Sequence, residues 1–487
     1  MKELKNYIAG EWRASGRTFE KRSPFDGSLV AIVHEADRDM VNDAVEAGRA
    51  AAFGDWGRRP VRDRVRIIRD MSRKLHARLD DLIEADVADT GRSYWQARNF
   101  DGSRAAALFD AYCDIAMGLE NRSSTFSGEG GMNGLWYTLR RPKGVIGCIS
   151  PWNVPLLMTV MKAAPALVMG NAAIVKPSEE TPSSCTILAE VIAASDLPKG
   201  AFSLVHGFGA DSTGAFLTEH PGVDALLFTG ESATGATIMK AAANGLRDVA
   251  FELGGKNAAL VFDDAEMDRV IEGTTRSAFF NCGQICFCTE RAYVQRGRYD
   301  EFVSRMAEAA KTIVVGDRRH NGFNIGPLIS KSHRDKVLAL VDSVRQDDGE
   351  FVAGGGVPVF GDERDNGAFI EPAIAIGLPE GARFVRQEVF GPVLHVAPFD
   401  EEDEAIALAN NTPYGLAAAV WTTNVSRAHR VAPKLRVGHA WINAWQIRDL
   451  QSPLAGAGIS GIGEQFGRNS LEFCSQPLTV TVRIFDS

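Results

Sequence analysis

From residue 144 onward, short apolar runs take turns with helical stretches, and no other feature so limits the folds open to this chain. VIGCIS, NAAIVKP, AFSLVHG, DALLFTG and DVAFELGG read as strands; VPLLMTVMKAAPALVMG, SCTILAEVIAAS and TGATIMKAAANG read as helices among them. Such alternation requires crossover connections, and therefore a parallel sheet covered by helices, an α/β architecture of the dinucleotide-binding type. Ligands of such a sheet sit beyond the carboxyl ends of its strands. A second cycle follows in NAALVF, a helix over 268–280, RAYVQRG, a helix over 300–312, then AFIEPAIAIG, GPVLHVAPF, GLAAAVWT and HAWINA. It predicts a second α/β domain.

Upstream, residues 37 to 120 are helical in period, including one long helix through VRDRVRIIRDMSRKLHARLDD that ends near Asp89. Its acids and bases interleave, which reads as a solvated face. A further helix is predicted after Gly102, with Ser103 as its cap. Residues 121–142 turn rich in Ser and Gly and then alternate, as a loop and a hairpin strand do. The end, QPLTVTVRIF, alternates likewise, and both strands are expected to form an edge that pairs with another subunit. With 487 residues, 45% of them hydrophobic, the chain can bury a large core divided among domains. A net charge of −9 excludes the basic footprint of a nucleic-acid binder. No signal pattern and no apolar run of about 18 residues is present, so a cytoplasmic protein without membrane association is expected.

The stretch FNCGQICFCTER gathers three of the seven cysteines, Cys282, Cys286 and Cys288. Their C-x3-C-x-C spacing offers at most three soft ligands, with no histidine nearer than His320, so no metal is expected. A Cys286–Cys288 disulfide would be strained and out of place in a reducing compartment. A nucleophile with two bystanders remains, beside the plainer reading of three small buried hydrophobes.

No G-x-G-x-x-G fingerprint follows the first strands. Instead the strand ends carry ISPWN, VKPSE, GFG, FTGESATG and ELGGKN, and N-x-G-Q-x-C and EVFGP follow. In this order and at these separations, from about residue 7 to the C-terminus, the chain resembles the NAD(P)-dependent aldehyde dehydrogenase superfamily. The resemblance implies an NAD-binding domain over 1–120 and 143–252, a catalytic domain over 253–453, and an oligomerisation arm over 121–142 and 470–487 that builds a homodimer or homotetramer. It makes Cys286 the nucleophile, since a thiolate can add to an aldehyde carbon. It makes Asn153 the side-chain donor to the oxyanion, beside the Cys286 N–H; the alternative is that Asn153 caps or turns the chain before Pro155. It makes Glu252 the base that activates water on the thioester, where a plain strand-end carboxylate is the alternative. Relatives that pass the acyl group to coenzyme A lack that glutamate, so hydrolysis to a free acid is implied.

For the cofactor, Lys176, Ser178 and Glu179 fall where an adenine ribose would sit; a carboxylate there accepts both ribose hydroxyls and repels a 2′-phosphate, favouring NAD over NADP. The resemblance adds Ser150, Trp152, Gly209, Phe228, Thr229, Gly230, Glu231, Thr234, Leu253, Glu388 and Phe390 to the cofactor border. Two departures stand out. Glu231 occupies a position where relatives often have serine or glycine, so its side chain is expected to turn from the phosphates. GIGEQFG lacks the usual arginine and paired glycine, which alters the expected subunit contact.

The segment AWQIRDLQSP resembles the substrate loop of hydroxymuconic and aminomuconic semialdehyde dehydrogenases, whose substrates carry a carboxylate far from the aldehyde. Arg448 is the candidate anchor and Arg104 its partner, because a guanidinium fork matches a carboxylate. Arg448 could instead pair with Asp449 or a neighbouring subunit. A neutral aldehyde in an apolar tunnel lined by Trp445 and Phe287 is the alternative substrate, and a catalytically silent relative the alternative class.

Overall fold

The two cycles of alternation fold as two sheets. The computed structural model describes residues 2–100, 102–129 and 132–485. Met1, Asp101, Gly130, Gly131, Asp486 and Ser487, which fall inside the expected domain ranges, lie outside the described residues.

The first sheet has five parallel strands in the order Asp248–Glu252, Ala225–Thr229, Val145–Ile149, Ala172–Lys176, Phe202–Leu204. Antiparallel strands extend both edges: Gly461–Ile462 beside Asp248–Glu252, and Asn6–Ile8 followed by Glu11–Arg13 beside Phe202–Leu204. The strand order reverses between Val145–Ile149 and Ala225–Thr229, the switch point where open α/β sheets hold ligands. These two strands and Ala172–Lys176 are buried throughout, as strands covered on both faces must be, which is why they read as unbroken apolar runs. The covering helix Pro155–Val168 starts with proline at its first position, where no N–H is needed, and nearly all its residues are buried.

The second sheet runs Glu350–Ala353, Ala373–Ile376, Val393–Phe399, Thr289–Gln295, Asn257–Val261, Ala417–Trp421, His439–Ile442, all parallel except the first. Four residues, Leu253 to Lys256, join the last parallel strand of one sheet to the opening strand of the other. A third sheet pairs Ser123–Ser127 with Asn133–Pro142, and the latter with Ser475–Ile484.

Three expectations change. The single basic-acidic helix is two, Val61–His76 and Leu79–Thr90, broken at Ala77 and Arg78. It is not wholly solvated either: Arg64 is buried, with Nε donating to the Val168 carbonyl at 2.8 Å. The two alternating strands expected to seek another subunit pair first with each other, from Ser475 opposite Pro142 to Ile484 opposite Asn133. Ser103 lies inside the helix Gly102–Met117, which already begins one residue earlier. Among the described residues no helix is long and apolar enough to cross a membrane.

Candidate active site

The loop bearing Cys286 is forced by backbone conformation. After the helix Met267–Phe279, Asn281, Cys282 and Gly283 adopt φ of 53°, 57° and 70° in succession. Left-handed residues in a row reverse the chain, at a steric cost for Asn281 and Cys282 that Gly283 avoids. A Cβ on Gly283 would lie 1.9 Å from the Gly391 carbonyl oxygen. Gln284 secures the turn: Nε2 donates to the Asn281 carbonyl at 3.0 Å and the Pro327 carbonyl at 3.3 Å, while Oε1 accepts from Ile329 N at 2.9 Å. Asn257 Nδ2, from the second sheet, donates to the carbonyls of Cys286 at 2.7 Å and Cys288 at 2.8 Å. Trp445 Nε1 holds the carbonyl of Phe287 between them at 2.9 Å.

Clamped in this way, Cys286 is half-buried while the other six cysteines are buried. Burial, then the neighbouring carboxylates of Glu252 and Glu388, push its thiol up to about 12, against the pull of Arg448 and its own N–H. Burial likewise pushes the Glu252 carboxyl up to about 8, opposed by Lys162 and Arg448. Both Glu252 carboxylate oxygens are buried without a hydrogen-bond partner. A carboxyl in that state has unspent proton-accepting capacity near neutral pH.

Asn153 follows the strand Val145–Ile149 at the switch point. Its carbonyl accepts from Arg92 Nη2 at 2.5 Å and Asn281 Nδ2 at 3.2 Å, fixing the backbone against the cysteine loop. Its Nδ2 donates to the Gln284 carbonyl at 2.8 Å, using one of two amide hydrogens. Its Oδ1 is buried without a partner.

The remaining strand ends stand side by side along one edge of the first sheet. Ser150 Oγ accepts from Thr159 Oγ1 at 2.8 Å. Trp152 meets Phe390 edge to face at 5.3 Å, and the Phe390 carbonyl lies 2.8 Å from His333 Nε2. Lys162 Nζ donates to Thr229 Oγ1 at 2.6 Å, and burial lowers this lysine to about 8. A Cβ on Gly230 would meet the Phe228 ring at 2.5 Å, so the chain needs glycine as it turns into the helix Ser232–Ala243. Glu231 is the N-cap of that helix, and its exposed side chain caps no N–H. The first-turn donors, where Thr234 also sits, are thus left open to an anion. Glu388 accepts from Gly255 N at 2.8 Å, and burial together with Glu290 pushes it up to about 8. Leu253 N donates to the Ser460 carbonyl at 2.8 Å, and the leucine side chain packs on Gly235. Past Ala172–Lys176, Lys176 Nζ lies 3.7 Å from Glu179 and donates to the Pro177 carbonyl, while Ser178 Oγ accepts from Glu180 N at 3.2 Å. A pocket of about 580 Å³ opens there between Glu179, Phe208 and Lys331. Gly209 faces open space.

Arg448 lies over the Phe466 ring at 4.0 Å and within 5.9 Å of the Phe287 ring. It makes no ion pair among the described residues; Asp449 instead accepts from Gln451 N at 2.7 Å. Arg448 Nη1 is buried without a hydrogen-bond partner. Burial lowers its pKa first, and the positive charge of Arg104 lowers it further. Arg104 projects from the first turn of the helix Gly102–Met117 and is itself lowered by burial and by Arg276. Phe280, Phe287, Trp441 and Trp445 belong to one apolar cluster with Cys286 packed against it.

Sequence reasoning overlooked Lys162, Asn257, Gln284 and Arg276. A lysine in an otherwise apolar helix was a signal for the first. Asn257 and Gln284 stood inside quoted motifs without a role, and Arg276 lies one helical turn before Phe280. Among the described residues no cluster of three or more His, Cys, Asp or Glu could hold a metal ion.

The aldehyde dehydrogenase family model matches residues 12–480. A 2-aminomuconic 6-semialdehyde dehydrogenase of Pseudomonas sp. is 49% identical over 484 residues, 99% of each chain. A 2-hydroxymuconic semialdehyde dehydrogenase of Pseudomonas sp. (strain CF600) is 47% identical, covering 99% of this chain and 100% of the relative. Among solved structures, an NAD+ complex of aldehyde dehydrogenase from Bacillus cereus superposes with a TM-score of 0.95 at 31% identity, over 99% of this chain and 97% of that one.

Proposed function

Since the chain belongs to the aldehyde dehydrogenase family, we propose that it oxidises a semialdehyde with a remote carboxylate, of the 2-hydroxymuconic or 2-aminomuconic type, to the free acid with NAD. The observation that carries the substrate is Arg448, whose buried Nη1 lacks an acceptor while its charge is felt at Cys286. A buried donor without a partner is costly, and a carboxylate supplies the missing one with a charge-assisted bond. Arg104 adds positive charge on the same approach.

In this reading the Cys286 sulfur adds to the aldehyde carbon. With the thiol raised to about 12, its proton has to leave as the C–S bond forms; it passes to solvent water, which leaves Glu252 ionised for the later step. The free amide hydrogen of Asn153 and the Cys286 N–H stabilise the oxyanion. The bound nicotinamide supplies the hydride acceptor that turns the thiohemiacetal into a thioester. Glu252 then takes a proton from water as its oxygen bonds to the acyl carbon, and the C–S bond breaks to release the acid. The site residues fit a dinucleotide: an uncapped helix N-terminus at the switch point, an aromatic pair in Trp152 and Phe390, and two carboxylates, Glu179 and Glu388, for ribose hydroxyls. Glu179, half-buried beside Lys176, supports NAD over NADP.

The ranges 1–120 with 143–252, 253–453, and 121–142 with 470–487 serve as cofactor, catalytic and arm regions in this proposal. The exposed outer edge of Ser475–Ile484 supports pairing with a second copy in a homodimer or homotetramer. Light scattering that returns the mass of a single 52.7 kDa chain would exclude it. Seven free thiols support a cytoplasmic location.

The aromatic wall of Phe280, Phe287, Trp441 and Trp445 favours a second reading, a neutral aromatic aldehyde. NADH formation from 2-hydroxymuconic semialdehyde and from benzaldehyde separates the two. Arg448→Ala is expected to raise KM for the semialdehyde about 10- to 100-fold, the loss of one charged hydrogen bond, and to affect benzaldehyde far less. Equal effects on both substrates reject the anchor.

A further inference from the structure

We propose that Phe466 is a positioning residue for the substrate-binding arginine, its ring serving as the platform on which the Arg448 guanidinium lies; this rests on the reading of Arg448 given above. The starting point is the GIGEQFG segment, which no step of the chemistry uses. Phe466 has φ 69° and ψ 156°, a combination open to almost no residue but glycine. Such a conformation persists only where the surroundings over-determine it.

They do so on both sides. Phe466 N donates to Ser470 Oγ at 2.7 Å, and the same Oγ accepts from the buried Tyr112 hydroxyl at 3.2 Å. Just before it, Gln465 and Leu454 exchange two backbone hydrogen bonds of 2.9 Å, tying the turn to the chain six residues beyond Arg448. Gln465 Nε2 reaches the Ala250 carbonyl at 3.1 Å, anchoring the turn to the strand that ends in Glu252. The outcome of this strained, doubly pinned backbone is a buried ring 4.0 Å beneath the Arg448 Cζ. A guanidinium stacked on an aromatic face keeps its N–H edge for a planar acceptor, and the buried Nη1 lies on that edge without one. A leucine of similar bulk would fill the space but offer no quadrupole.

The test compares the ratio of kcat/KM for 2-hydroxymuconic semialdehyde to that for benzaldehyde in Phe466→Leu, Phe466→Tyr, Arg448→Ala and the Phe466→Leu/Arg448→Ala double variant. Phe466→Leu is expected to lower the ratio about tenfold, through KM for the semialdehyde. Phe466→Tyr, which keeps the ring face, is expected to hold it within about twofold. In the Arg448→Ala background Phe466→Leu should change the ratio no further. An unchanged ratio in Phe466→Leu, with a collapsed one in Arg448→Ala, overturns the platform and leaves the anchor standing. An unchanged ratio in Arg448→Ala removes the anchor and the platform with it. If thermal melts find Phe466→Leu unfolded, Phe466→Met, equally without a ring face, carries the same expectation.

Discussion

Replacing Glu252 by glutamine keeps the shape of the side chain and removes its capacity to take a proton. The carboxyl has an ordinary value of 4.5 and is pushed up to about 8 by burial. As a base it acts only when ionised, so about a tenth of the enzyme is competent near pH 7 and about nine tenths near pH 9. Thioester hydrolysis in the wild type should therefore rise about tenfold over that interval and level off above it. Glu252→Gln should lose about 10²- to 10⁴-fold in turnover yet still complete the first half-reaction. Stopped-flow mixing with aldehyde and NAD should then show a burst of about one NADH per Cys286, followed by almost nothing, with the acyl group on Cys286 detectable by mass. A second observable needs no substrate. Because the folded pKa lies above the unfolded one, wild-type stability is full below about 4.5 and falls by about 1.4 kcal/mol per pH unit as pH rises toward 8. Glu252→Gln should thus melt above the wild type at alkaline pH, with the gap closing as pH falls. A turnover that is flat with pH, or a Glu252→Gln enzyme without a burst, refutes the assignment of the base.

Two further outcomes can be checked with simple variants. Asn153→Ala should lower kcat by about 10²- to 10³-fold with a smaller change in KM; an effect confined to KM would mean that the amide holds the loop and not the oxyanion. Glu179→Gln should narrow the preference for NAD over NADP by roughly tenfold, as one repulsion of a 2′-phosphate is removed; an unaltered preference measured on both cofactors would place discrimination elsewhere.

The strands of the two parallel sheets were legible because burial on both faces leaves an unmistakable apolar run, whereas their order within each sheet was not, since it is set by contacts between distant strands. The Cys286 motif was legible because it too is local. What escaped were interactions between distant positions. Asn257 and Cys286 are far apart in sequence, and only pairing of Asn257–Val261 with Thr289–Gln295 lets one amide hold two carbonyls. The break at Ala77 and Arg78 carries neither glycine nor proline, so periodicity ran through it. Arg64 reads as a surface residue until Val168 supplies its acceptor. Arg448 was legible as a charge, whereas its stacking on Phe466 depends on a backbone angle that no propensity encodes.

The cysteine turn is held from three directions: Asn153 from one sheet, Asn257 from the other, and Gln284 reaching the strand of chain at Pro327 and Ile329. None of these partners is a sequence neighbour, so the turn can close only once both halves have docked. Until then the Cys286 and Cys288 carbonyls lack the Asn257 donor and the Gln284 carbonyl lacks the Asn153 amide, so the shape of this turn belongs to the assembled chain and not to its local sequence.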